Sequence, residues 1–330
     1  MNMRQQIKRL AGTAYLHSPM GRRRLRGAGV VLMLHRVLAD DSEAALPHRR
    51  ALCIGRQSFE HLLQWLGRHF DCVPLAELLE RPHGARPRVA LSFDDGWRDN
   101  AEQAFPLLQR YGMPASIFLS TDFIGSHQRF WWEAIGESLW RDPAAVPALI
   151  ASLAERGHPL PALLREPGHS AERSAALAAY LQQLKALAPT TLQQLADSCP
   201  PAPQAETLDW SQVRDLEASG LVRFGPHGAS HSILTQLDGQ ALAEDLERSR
   251  RTLAEHCAQP LAVYCYPNGD HSPQVREAVA ALGYRHALAT RPGLVDDRSE
   301  ALGLPRIDVG QQAARNPSLL AWRIFRGAQA

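Results

Sequence analysis

Val89-Ala90-Leu91-Ser92-Phe93-Asp94-Asp95-Gly96 is a mostly apolar run that ends abruptly in two adjacent carboxylates and a glycine. A run this short, closed by a residue that tolerates a sharp turn, predicts a buried strand opening into a loop. The pattern recurs along the chain. Val30–Leu34 leads into His35, Leu221–Phe224 into Gly225-Pro226-His227, and Ala262–Tyr266 into Pro267-Asn268-Gly269. Ala115–Leu119, His286–Ala289 and Pro305–Val309 are further candidate strands. Helical stretches lie between several of them: Ser58 is expected to cap Phe59–His69, Asp99 to cap Asn100–Tyr111 ahead of Gly112, and Ser272 to cap Pro273–Leu282 ahead of Gly283. Strands alternating with helices predict parallel strands joined by crossover helices, hence an α/β sheet or barrel.

One region breaks the alternation. Residues 128–205 are rich in Ala, Leu and Gln, contain helical runs such as Ala171–Ala188, and end in Pro200-Pro201-Ala202-Pro203. A bare loop of that length is improbable in a folded domain, so a helical insertion is expected. The organisation read from the sequence is a basic amphipathic segment over 1–29, a catalytic domain over 30–310 interrupted by the 128–205 insertion, and a tail over 311–330.

The 330 residues carry 36 Lys and Arg against 34 Asp and Glu, but unevenly. The first 30 hold seven basic residues and no acid, which leaves 29 basic against 34 acidic in the rest. The body therefore does not read as a nucleic-acid binder. Met3, Ile7, Leu10, Ala11 and Ala14 share one face of the first helix, with Arg4, Lys8 and Arg9 beside it. Such a helix suits either docking on its own domain or peripheral contact with an anionic membrane. Five scattered cysteines without a CxxC pair, and no secretory signal pattern, lead to the expectation of a reducing cytoplasmic setting.

In parallel α/β folds functional groups gather where strands end. Of the three Asp-Asp pairs here, only Asp94-Asp95 follows a strand and precedes a glycine; His227 and His231 form the one His-x-x-x-His among 14 histidines. One carboxylate and two imidazoles are a donor set for a divalent metal. The same set could also serve a non-heme iron oxygenase, although those sites ordinarily sit on all-β folds.

Together, Ser92-Phe93-Asp94-Asp95-Gly96, His227-Gly228-Ala229-Ser230-His231 and Tyr264-Cys265-Tyr266-Pro267-Asn268-Gly269 resemble the first three motifs of the polysaccharide deacetylases, the NodB-homology or carbohydrate esterase 4 family. The resemblance runs from about Gly29 to Val309, the insertion excluded. It implies a distorted (β/α) barrel and a metal-dependent hydrolase that removes N-acetyl groups from amino sugars of a polysaccharide or its precursor. It also implies Asp95, His227 and His231 as ligands, most readily of Zn²⁺, Asp94 as general base, and the Asn268 N–H as oxyanion donor. Two departures stand out: the family's usual third-motif arginine falls at Cys265, and its C-terminal Leu-x-His is missing. Met33-Leu34-His35-Arg36 instead resembles the circularly permuted exopolysaccharide-deacetylase subgroup, which makes His35 the candidate general acid. Arg306 is the candidate replacement guanidinium beside Asp94, with Pro267 and Gly269 as loop support. Trp97 is a candidate sugar-stacking residue, equally readable as packing. Phe130-Trp131-Trp132 reads first as a helix anchor and second as a sugar or lipid platform. A deformylase or deacetylase of a lipid-linked sugar, or an inactive carbohydrate-binding relative, stays open.

Overall fold

The computed structural model of the chain describes residues 3–166 and 168–328. Met1, Asn2 and the side chain of Arg4 in the N-terminal segment, and the last two residues of the C-terminal tail, lie outside the described residues. The strands are β1 Gly29–Leu34, β2 Arg36–Leu38, β3 Cys53–Gly55, β4 Asp71–Cys72, β5 Arg88–Phe93, β6 Ala115–Leu119, β7 Val222–Pro226, β8 Val263–Cys265, β9 His286–Leu288 and β10 Ile307–Asp308. Five run in the order β10-β1-β5-β6-β7, and β4 joins the start of β5. Every ladder is parallel. β1 and β6 are buried at every residue, which is why they read as unbroken apolar runs: a parallel sheet is covered on both faces.

β8 and β9 form a separate parallel pair. Isolated bonds bring that pair into the ring: Leu261 N–H donates to the Phe224 carbonyl at 2.7 Å, and Leu304 N–H to the Ala287 carbonyl at 2.8 Å. The architecture is a distorted (β/α) barrel whose ladders are discontinuous on the β8–β9 side. The expected strand Pro305–Val309 shrinks to two residues; Pro305 has no N–H to give a ladder.

Two expected caps are corrected. The helix Arg56–His69 starts two residues before Ser58, on Gly55, and the Ser58 hydroxyl donates to Asp41 at 2.7 Å. Asp99 has helical backbone angles and caps nothing; its carboxylate accepts from the Val37 N–H and from Arg36 Nε, both at 2.8 Å. The Ser272 hydroxyl does cap Pro273–Ala281, accepting from the Val275 N–H.

Within residues 128–205 the chain forms the helices Trp131–Arg141, Pro147–Glu155, Ala171–Leu184 and Pro189–Asp197 around their own apolar cluster, which includes Leu139, Leu149, Leu177 and Leu195. A buried ion network ties these helices to the barrel. Glu133 accepts from Arg49 Nε at 2.6 Å and lies 3.2 Å from an Arg36 terminal nitrogen, while Arg129 Nε donates to Glu206 at 3.0 Å. Burial works against ionised Glu133, but Arg36 and Arg49 outweigh it and hold the carboxyl at about 2. Since Arg36 opens β2, one residue past the end of β1, the network fixes the insertion against the carboxyl ends of the strands.

Candidate metal centre and substrate cleft

β5, β7 and β8 end on one side of the barrel, and the loops after them bring together what the sequence separates by more than 130 residues. Asp95, His231 and Asn268 are the three non-glycine residues with positive φ among the described residues, at 79°, 53° and 55°. All three belong to this site, where such backbone conformations concentrate. Gly96 continues the turn at φ 86°, and a Cβ there would meet Leu119 and Ile124 side chains at 2.7 Å.

Asp95 Oδ1 stands 3.4 Å from His227 Nε2 and 3.2 Å from His231 Nε2. His227 Nδ1 lies 2.8 Å from the Cys265 carbonyl, which can only accept, so Nδ1 carries a proton; in the neutral ring, the form a metal requires, Nε2 then presents a lone pair to Asp95. Lone pairs facing a carboxylate oxygen repel unless a cation lies between them. Consistent with this, Asp95 Oδ1 is fully buried and has no hydrogen-bond donor. Separations of 3.2–3.4 Å also match the edge of a tetrahedron with bonds of about 2.0–2.2 Å. The residues therefore fit a divalent metal.

The supports around these ligands were only partly legible in the sequence. The other oxygen, Asp95 Oδ2, accepts from Trp97 Nε1 at 2.8 Å. Trp97 is 1% exposed, so the expected sugar-stacking role is corrected: it orients Asp95 from within the core. Arg36 stacks on the Trp97 ring at 4.1 Å and is itself held by Asp99, a chain of contacts running from β2 to Asp95. The turn from His227 to His231 hangs on Asp245, whose carboxylate accepts from the Ala229 and Ser230 N–H groups at 2.9 Å. Asp245 lies on the helix Gly239–His256, and nothing about its position in the sequence marks it.

Asp94 is 2% exposed, and both its oxygens accept from Arg306, at 2.7 and 2.8 Å. Arg306 is fully buried and oriented by the Ala289 carbonyl and the Ser92 hydroxyl. Burial raises the Asp94 carboxyl, but the Arg306 charge, with His227, brings it down to about 2. Cys265 Sγ lies 3.4 Å from Asp94 Oδ1. The absent third-motif arginine is thus replaced in space by a guanidinium from the strand-like segment before β10. His35 Nε2 stands 3.9 Å from Asp94 Oδ2, and its backbone carbonyl accepts from Asn100 at 2.8 Å.

The third-motif loop completes the site. The Gly269 and Asp270 N–H groups close its turn onto the Tyr266 and Pro267 carbonyls, and the Asn268 N–H takes no part in those bonds. The Thr290 hydroxyl donates to the Asn268 carbonyl at 3.2 Å. At Gly269, φ is 79° and a Cβ would fall 2.2 Å from Thr290, so only glycine fits. Pro267 packs near Gly228 of the histidine turn.

These residues open on a cleft in two lobes of about 430 and 350 Å³. Trp131, Trp132, Lys185, His231 and Asn268 line both lobes. Phe130 is buried and stacks on Phe123 at 4.2 Å, the anchor role; Trp132 stands 4.8 Å from the His231 ring and forms cleft wall. Sequence reasoning missed Lys185, which the insertion delivers to the site.

The sequence profile of the polysaccharide deacetylase family matches residues 82–162 and 170–287. YxkH of Bacillus subtilis (strain 168), which carries a polysaccharide deacetylase name, is 30% identical over 100 residues, 29% of this chain and 33% of that protein. The match thus spans about a third of that relative's length. Among solved structures, the Streptococcus pyogenes deacetylase PplD in complex with acetate superposes with a TM-score of 0.56 at 17% identity, over 88% of this chain and 96% of that one. IcaB from Ammonifex degensii gives 0.55 at 19% identity over 92% and 99%. At such identities these structures attest the fold, and the profile, which spans more than half of the sequence, attests the family: this chain belongs to the polysaccharide deacetylases.

Proposed function

We propose that the protein is a metal-dependent hydrolase that removes N-acetyl groups from amino sugars of a polysaccharide or of its lipid-linked or cytoplasmic precursor. The observation that carries this reading is the buried, donor-free Asp95 Oδ1 facing two imidazole Nε2 atoms, beside a carboxylate that Arg306 keeps ionised. Asp95, His227 and His231 would hold the metal, for which we take zinc because two imidazoles and one carboxylate suit it. When bound, such an ion acidifies its water and polarises the amide carbonyl.

The chain's own groups do the rest. Asp94 Oδ2, ionised throughout the neutral range, takes the proton of the attacking water through the lone pair that Arg306 leaves free. The water oxygen bonds to the acyl carbon, and the Asn268 N–H donates to the oxygen that becomes negative. His35 Nε2, on the cleft side of Asp94, gives a proton to the amide nitrogen as the C–N bond breaks. Acetate and a free amino sugar result. An inactive relative would be favoured by Cys265 in place of the third-motif arginine, and the guanidinium of Arg306 beside Asp94 weakens that reading.

Metal analysis of the purified protein, with acetate and formate release measured on N-acetylated and N-formylated amino sugars for the wild type and Asp94→Asn, tests this reading. Bound zinc with acetate release lost in the variant is expected. Formate release alone would make the enzyme a deformylase, and neither product from any sugar would make it a binding module.

A second surface favours peripheral contact with an anionic membrane. The helix Met3–His17 docks on Pro317–Gly327 through Gly12, where a Cβ would meet the Trp322 nitrogen at 2.4 Å, and through Tyr15, 4.8 Å from Phe325. Docking uses that face and leaves Met3, Ile7 and Leu10 72%, 57% and 73% exposed. Met20 is exposed nearby, as are Lys8, Arg22, Arg23 and Arg26. An apolar stripe beside basic side chains fits a headgroup boundary. No helix among the described residues is long and apolar enough to cross a membrane. All five cysteines are free thiols, which suits a reducing cytoplasmic face. Sedimentation with phosphatidylglycerol vesicles should carry down the wild type and release Ile7→Asp/Leu10→Asp; equal sedimentation would refute the contact.

A further inference from the structure

Lys185 closes the helix Ala171–Leu184 and reaches out of the insertion to the junction of the two cleft lobes. Its Nζ donates to Asn268 Oδ1 at 2.8 Å, which uses one of its three N–H bonds. No carboxylate among the described residues lies within ion-pair distance of it; Asp270, on the neighbouring loop, reaches it only through its field. Of the other carboxylates lining the two lobes, Glu244 is exposed and accepts from Gln240, and the rest are committed. Asp94 is paired with Arg306 and Asp95 belongs to the metal site, while Asp122 and Asp245 in the other lobe both face Arg248. A lysine half-buried in a cleft, as Lys185 is, normally meets an opposite charge, because desolvating an ammonium is costly without one. Here no carboxylate among the described residues pairs with it, at a point directly beside the proposed oxyanion loop.

We propose that Lys185 is a specificity-determining residue that binds an anionic group of the substrate close to the N-acyl group. The reaction is then selective for charged amino sugars over neutral ones. This rests on the deacetylase reading above and adds the substrate class to it. Phosphate on the sugar's anomeric oxygen, or a carboxylate on the sugar, would supply the same chemistry: two or three oxygens that accept the free ammonium donors. The insertion explains why such recognition lies outside the barrel motifs. Its helices are fixed by Glu133 against Arg36 and Arg49, so the ammonium is held at a set place above the site.

The test is acetate release from three probes: methyl N-acetylglucosaminide, N-acetylglucosamine 1-phosphate and N-acetylmuramic acid. The readout is the ratio of kcat/KM for each charged probe to that for the neutral one, because loss of the Asn268 contact alone would lower all three together. The wild type should favour at least one charged probe by about ten- to hundredfold, the range for a hydrogen bond to a charged group. Lys185→Met should bring that ratio near one, and Lys185→Arg should keep part of it. Which probe shows the preference identifies the source of the anion. Should the methionine variant not fold, the wild type's KM for the preferred probe must still rise with salt while that for the neutral probe stays flat. A wild type without preference, or a ratio unchanged in Lys185→Met, overturns the proposal and leaves the deacetylase reading standing. No acetate from any probe overturns both.

Discussion

Arg306→Met removes the guanidinium that makes two bonds of 2.7 and 2.8 Å to Asp94 inside the barrel. With the arginine present, the Asp94 carboxyl titrates at about 2 instead of its ordinary 3.8. A carboxyl depressed in the folded state stabilises the protein above its unfolded pKa and loses that contribution as pH falls through the folded one. Lowering the carboxyl from 3.8 to about 2 is worth about 2 kcal/mol at neutral pH, lost between about pH 4 and pH 2. Without Arg306 burial remains and pushes the carboxyl up, opposed only by His227 and His35. In the wild type Asp94 is therefore ionised at every working pH, and the acid limb of the rate profile belongs to other groups. In Arg306→Met protonation of Asp94 should set that limb, more than about one unit higher, with activity depressed at pH 6 and partly recovered at pH 8.5. Leaving a buried carboxylate unpaired should also cost about 3–5 kcal/mol of stability at neutral pH. The assay is kcat/KM for acetate release across pH on folded, metal-loaded protein, with unfolding followed in parallel. Because Cys265 Sγ approaches Asp94 Oδ1 within 3.4 Å, adding Cys265→Arg to the variant should return the limb toward lower pH. Superimposable profiles for wild type and Arg306→Met would refute the reasoning.

His35→Asn should leave metal content intact and lower kcat by about 10²–10⁴ with little change in KM; unchanged turnover would remove His35 from proton delivery. Trp97→Phe keeps an aromatic ring beside Arg36 but deletes the 2.8 Å bond to Asp95 Oδ2, so zinc affinity, measured by chelator competition, should weaken about 10–100-fold while the fold persists. Dialysis against a chelator should abolish acetate release and added zinc should restore it, whereas Asp95→Asn should not recover; activity that survives metal removal would contradict the site. Trp132→Ala, which opens the cleft wall beside His231, should raise KM for oligosaccharides more than it lowers kcat, as steady-state kinetics would show.

The sequence by itself determined the fold class and the candidate ligand set, because both are written in local order. Buried parallel strands must be apolar throughout, so they stand out as short runs, and the residues after them occupy the carboxyl ends of the sheet. Asp94-Asp95-Gly96 and His227-Gly228-Ala229-Ser230-His231 each lie within one loop, and their spacing survives folding unchanged. Arg306 was legible only through an absence, the missing arginine at Cys265. What holds these groups could not be read in the same way. Asp245 reaches the histidine turn from a distant helix, Trp97 turns inward to Asp95 where its place after Gly96 suits a sugar equally well, and Asp99 answers Arg36 across the barrel instead of capping the helix it precedes. Each choice was made by burial: a polar atom enclosed by packing takes whichever partner the tertiary fold brings within reach. Lys185 is the extreme case. Eighty-three residues separate it from Asn268, in a region whose sequence shows helical pattern and nothing of chemistry, and only the docking of the insertion over the strand ends puts its ammonium in the cleft.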